Sequence, residues 1–201
     1  MSTYSDPAID QIYELLFCDE LALYRGDPTA YPWSVLLASP PDVENLNKLV
    51  NDEDIETRPR ILAANLLRSM GKPDEGKQLF GVIVEVGLDQ GLDTLAAYED
   101  GTARYINYSG SMIVSDTRTK ESDELVVDLF AAARNVVEQI GPWEEPRLNR
   151  PRAGNIRLSF LVSDGLYFGE GPFEMLAGDQ IGGPVVAAAT RLMQFLIGQR
   201  M

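Results

Sequence analysis

The stretch from Leu79 to Ser115, LFGVIVEVGLDQGLDTLAAYEDGTARYINYSGSMIVS, constrains this chain most, because apolar residues recur there with a period of two between short turn signals. That period places alternate side chains on opposite faces of a strand. In Leu79 to Leu88 one face collects Phe80, Val82, Val84, Val86 and Leu88. The other collects Leu79, Gly81, Ile83, Glu85 and Gly87, so the alternation predicts a strand buried on one side and mixed on the other. A strand from Asp93 to Glu99 meets Thr102 to Tyr108 through Asp100-Gly101, a pair that accepts the positive φ of a two-residue hairpin turn. Ser109-Gly110 turns the chain again into Ser111 to Ser115. The outcome is a meander of three or four antiparallel strands.

Helices surround this meander. Pro7 to Leu23 reads as an amphipathic helix with Asp6 at its N-cap and Pro7 at the first helical position. Several prolines then break the chain, and Trp33 to Leu37 reads as a short strand or a segment plugging the core. Asp42 caps a short helix through Val50, and a second helix covers Glu56 to Met70 before Gly71 and Pro73. Beyond the meander, Leu125, Val126, Leu129, Phe130, Ala133, Val136, Val137 and Ile140 form one helical stripe between an N-cap at Ser122 and the stop at Gly141-Pro142. After the charged, proline-rich WEEPRLNRPRAGN, a strand runs from Asn155 to Val162. The glycine-punctuated SDGLYFGEGP reads as a bulged hairpin over the sheet edge, and a last amphipathic helix follows Gly183-Pro184. Hairpin-joined strands with segregated helices indicate an α+β fold: an antiparallel sheet of about five strands covered by helices. Residues 1–75 form a mainly helical part, 79–201 the sheet with two long helices, all in one domain. The layout is similar to that of profilin-like and roadblock-like modules.

Composition excludes more than it identifies. The chain has no histidine, so Ser-His-Asp and Cys-His nucleophile systems and imidazole metal sites are absent. The single cysteine, Cys18, forms no internal disulfide and reads as a packed thiol. A net charge of −14 with no basic lobe argues against nucleic acid and for a basic partner or a cation. No run of about 18 apolar residues offers a membrane span, and the start, MSTYSDPAIDQIYE, lacks the pattern of a signal peptide. The expectation is a soluble, cytoplasmic protein without a cofactor and without a membrane partner.

Four groups of residues merit attention. Asp89 and Asp93 in LDQGLD, with Asp164 and Glu170 in SDGLYFGEG, offer carboxylates to a divalent cation if the two turns meet; the competing reading is turn geometry. Glu85, Arg104 and Arg157 fall inside strands, either as a buried ion pair or ligand pocket or as ordinary charges on an outer face, which is the norm for antiparallel sheets. Tyr167 and Phe168, amid glycines, read as exposed rings able to stack on a ligand or partner. Arg147, Arg150, Arg152 and Arg157 form a small basic stripe, either an anion site or solvated surface.

At GVIVEVGLDQGLDTLAAYEDGTARYINYSG, IGPWEEPR and SFLVSDGLYFGEGP the sequence resembles a family of bacterial proteins to which no activity is attached, over most of the chain from CDELALYR onward. The resemblance implies a bacterial, intracellular, single-domain protein and carries over no functional residue. The residues themselves favour a non-enzymatic interaction or regulatory module that binds a protein partner or self-associates. The alternatives are a divalent-cation-dependent enzyme or binding protein, and an acidic inhibitor of the immunity type.

Overall fold

The computed structural model describes residues 3–73 and 76–199. The strands are β1 (Leu79–Leu88), β2 (Gly91–Tyr98), β3 (Ala103–Ile106), β4 (Met112–Ser115), β5 (Asn155–Val162) and β6 (Gly165–Pro172). They form one antiparallel sheet in the order β4-β3-β2-β1-β5-β6. Because β5 returns beside β1 rather than beside β4, the first strand of the meander becomes central, and β4 and β6 are the edges. The sixth strand comes from SDGLYFGEGP, which pairs with β5 in unbroken register from Gly165 to Pro172 and carries no bulge. The α+β class stands; the strand order does not establish a profilin-like or roadblock-like module.

The helices are α1 (Pro7–Leu15), α2 (Trp33–Leu36), α3 (Val43–Val50), α4 (Thr57–Ser69), α5 (Lys120–Val137), α6 (Phe173–Ala177) and α7 (Gly182–Gly198). They cover both faces of the sheet. Residues of α5 and α7, such as Leu129, Phe130, Val185 and Leu192, pack with Val82, Val84, Leu95 and Leu158 on one face. Tyr13, Leu46, Leu49, Ile61 and Leu67 of the N-terminal helices pack with Phe80, Ile83, Ala96 and Leu161 on the other. Each such large side chain, once fully buried, contributes about 1.5–3 kcal/mol of transfer free energy. A sheet sealed on both sides leaves its mid-strand polar residues without water.

Local chemistry explains where the elements begin and end. Asp6 accepts from Ala8 N at 2.8 Å and starts α1. This helix stops at Leu15 rather than running to Leu23, since Cys18 turns the chain at φ 52° and only a short 3-10 turn follows at Leu21–Leu23. Trp33 to Leu36 is helical. On α5 the cap is Thr119, and Ser122 is its partner in a capping box rather than the cap itself. Tyr98 N–H donates to the Thr102 carbonyl at 2.9 Å, so the hairpin loop between β2 and β3 has three residues, Glu99 to Gly101, with Gly101 at φ 85°, not the expected two. A register shift between Leu79 and Gly81 also breaks the alternation of β1. Phe80 therefore packs under the N-terminal helices and Leu79 under α5 and α7, each on the face opposite to the one the simple period assigns. No helix among the described residues is long and apolar enough to cross a membrane.

Candidate functional site

One row of polar side chains crosses the sheet beneath the N-terminal helices. Thr94 on β2 lies opposite Glu85 on β1, Glu85 opposite Arg157 on β5, and Arg157 opposite Glu170 on β6. Glu85 is 0% and Arg157 3% exposed, so the outer-face reading of these charges is corrected: the N-terminal helical layer covers the face they occupy. Tyr13 of α1 donates to Glu85 Oε1 at 2.7 Å, and the Tyr4 hydroxyl lies 2.9 Å from Thr94 Oγ1 while donating to the Leu92 carbonyl at 3.1 Å. Glu85 Oε2 sits 3.6 Å from Arg157 Nη1 and has no hydrogen-bond partner. Burial pushes the Glu85 carboxyl above its ordinary value, opposed by the Tyr13 hydrogen bond and the Arg157 charge.

Arg157 also holds the segment 142–154, a strap leading from α5 to β5. Its guanidinium donates to Glu170 Oε2 at 2.9 and 2.7 Å, to the Leu148 carbonyl at 3.1 Å, and to the Asn149 carbonyl. The strap then lies directly against Gly87, where a Cβ would come within 2.1 Å of the Arg152 carbonyl oxygen. The row is thus a sealed clamp that fastens α1 and the strap to the sheet, without a route for substrate. Arg104 is buried on the same face but stands apart from it, paired with Asp116 at 2.9 Å.

The four carboxylates expected at a cation site are not brought together. Asp89 lies in the β1–β2 turn and Asp164 in the β5–β6 turn, at opposite ends of the sheet by the register of β1 with β5. Seven residues of strand put those ends about 23 Å apart. Asp93 is occupied by the Tyr105 hydroxyl and the Tyr108 backbone N–H, each at 2.8 Å, beside a water-sized apolar cavity of about 40 Å³ under α7. Glu170 is held by Arg157. Among the described residues no group of three or more His, Cys, Asp or Glu is placed to hold a metal ion.

The aromatic pair divides. Tyr167 is buried on the α5–α7 face, where its hydroxyl donates to Asp164 Oδ2 at 2.8 Å, because every second residue of β6 points inward. Phe168 is half-buried and meets Trp143 edge to face at 4.9 Å. Three arginines of the stripe are spent internally: Arg147 pairs with Asp19 at 2.9 Å and with Glu14 and stacks 3.9 Å over Phe17, Arg150 donates to the Thr3 carbonyl, and Arg157 is buried, whereas Arg152 is exposed. The Cys18 thiol is buried and pushed up to about 12, consistent with a packed thiol.

A larger feature escaped the sequence reading. Trp143 donates its backbone N–H to the Leu166 carbonyl at 2.6 Å, which draws the strap against β6 before it crosses the sheet. Between the strap, the end of α1 and the β5–β6 turn opens a cleft of about 790 Å³. Glu14, Asp19, Glu20, Glu144, Glu145 and Asp164 line it, against two cations, Arg68 and Arg147. Arg147 is already neutralised by Glu14 and Asp19, Asp164 Oδ1 is buried with no hydrogen-bond partner, and Trp143 stands 37% exposed at the wall. The only sequence signal was the Trp143-Glu144-Glu145 run, which reads as connector because Glu14, Asp19 and Glu20, three of its four acidic partners, lie more than a hundred residues away. No family model, no curated protein and no solved structure matches this chain.

Proposed function

We propose that this chain is a cytoplasmic protein-interaction module whose partner presents a basic segment to the acidic cleft. The observation that carries the reading is the cleft itself: six carboxylates face two arginines around an exposed tryptophan, in a space of about 790 Å³. Charge of one sign along low-dielectric walls focuses the field and raises the encounter rate of a cationic partner. Catalysis is the weaker reading, because the Glu85 carboxyl and its Tyr13 hydroxyl partner, both pushed up by burial, are sealed inside the sheet. Self-association through the cleft is also disfavoured, since each copy carries a net charge of −14.

The test titrates a short oligolysine peptide while Trp143 fluorescence is followed. Binding is expected to weaken as salt rises. Glu144→Gln with Glu145→Gln should lower affinity by about threefold to tenfold, given the modest worth of exposed ion pairs. Glu121→Gln with Glu124→Gln on α5, across the sheet, should leave it unchanged. Equal effects of the two double variants, or no effect of the first, would refute the cleft as the site.

A further inference from the structure

We infer that the outer edge of β6 accepts a strand from the partner, so that the basic segment entering the cleft continues as a seventh strand of the sheet. This rests on the cleft reading above and specifies how the partner is held.

The ladder dictates which groups of β6 face outward. The β5–β6 hairpin closes at the Val162–Gly165 pair, so Gly165, Tyr167, Gly169 and Gly171 bond to β5, and the even-numbered residues turn their backbone groups away from the sheet. Leu166 is already engaged there by Trp143. Pro172 has no N–H to offer. Between those two stops, Phe168 and Glu170 each present one N–H and one C=O outward, and none of the four has a hydrogen-bond partner among the described residues. They are two residues apart, the repeat at which an added strand donates and accepts.

The surroundings suit an incoming chain. A Cβ placed at Gly169 meets nothing within 4 Å, so no neighbour crowds the edge on that side. On the other side, Phe168 and Trp143 make an apolar ledge for an alternate side chain. Proteins usually guard such edges with lysine, bulges or a covering element; β6 has no lysine and no bulge, and among the described residues the strap bonds its edge only at Leu166. Trp143 and Leu166 belong to both cleft and edge, so a strand laid along Phe168 and Glu170 runs on toward the carboxylates. The complementary occupant is an extended, basic segment with alternating apolar residues.

The test uses a short peptide alternating lysine and valine, with backbone amide exchange as readout. Binding should slow exchange of the Phe168 and Glu170 amides, leaving the already paired Tyr167 and Gly169 amides unchanged. N-methylation of alternate peptide residues in one phase should weaken binding by about tenfold, the loss of one or two net hydrogen bonds, whereas the opposite phase leaves it intact. If the peptide binds in a salt-sensitive manner but both phases bind equally and Phe168 and Glu170 stay unprotected, strand addition is wrong while the cleft reading survives. If neither this peptide nor oligolysine binds, both fall.

Discussion

Replacing Arg157 with methionine should unfasten the strap. The guanidinium is 3% exposed and joins Glu170, the Leu148 and Asn149 carbonyls and the neighbouring Glu85. Methionine keeps an apolar stem of similar length but none of the donors. Removing one partner of a buried ion pair costs about 3–5 kcal/mol. The lower end applies, because Glu170 can rehydrate and Glu85 can take up a proton. A loss of about 3 kcal/mol lowers the melting temperature by roughly 6–12 °C for a chain of this size. Urea unfolding followed by tryptophan fluorescence measures it, and Trp143 on the strap reports the local change.

The pH dependence supplies a second constraint. The folded-state value of Glu85 is raised above the ordinary 4.5, so its stabilising contribution is complete below that pH and declines as pH rises through the folded value. Loss of Arg157 removes a charge that opposes the rise, so the deficit of Arg157→Met should grow from pH 5 to pH 8. Adding Glu85→Gln should remove that growth and recover at least about 1 kcal/mol by coupling. A deficit below about 1 kcal/mol, or one that is flat with pH and additive with Glu85→Gln, would refute the clamp.

Two further perturbations probe the same packing. Gly87→Ala drives a methyl into the Arg152 carbonyl and should cost about 1–3 kcal/mol in the same urea assay, because the obstacle is strap backbone, not a movable side chain; unchanged stability would mean the strap does not bear on β1. Cys18 should resist alkylation by iodoacetamide at pH 8 in the folded protein and react at once in urea, since its thiol is buried and pushed up to about 12; rapid native labelling would refute that placement.

The meander, its antiparallel sense and the helices capped at Asp6 and Asp42 were legible in the sequence, since each depends on residues within a few positions of one another. The seating of Phe80 and Leu79 was not, because one shift in register reverses faces without altering composition. SDGLYFGEGP shows the same limit. Its glycines suggest a bulge, yet continuous pairing to β5 makes it a regular strand, burying Tyr167 and leaving its edge open.

By itself the sequence determined what periodicity, caps and absent residue types can determine: an α+β chain, a sheet built on Leu79 to Ser115, and no imidazole chemistry. Whether Glu85 and Arg157 face water or each other was decided only when the N-terminal helices closed over the second face of the sheet. The acidic cleft arose likewise, when the strap brought Glu144 and Glu145 beside Glu14 and Asp19. The physical reason is range: helix caps and strand alternation are set by neighbours in the chain, whereas desolvation and electrostatic field depend on whatever packs within a few ångströms, whichever part of the chain it comes from.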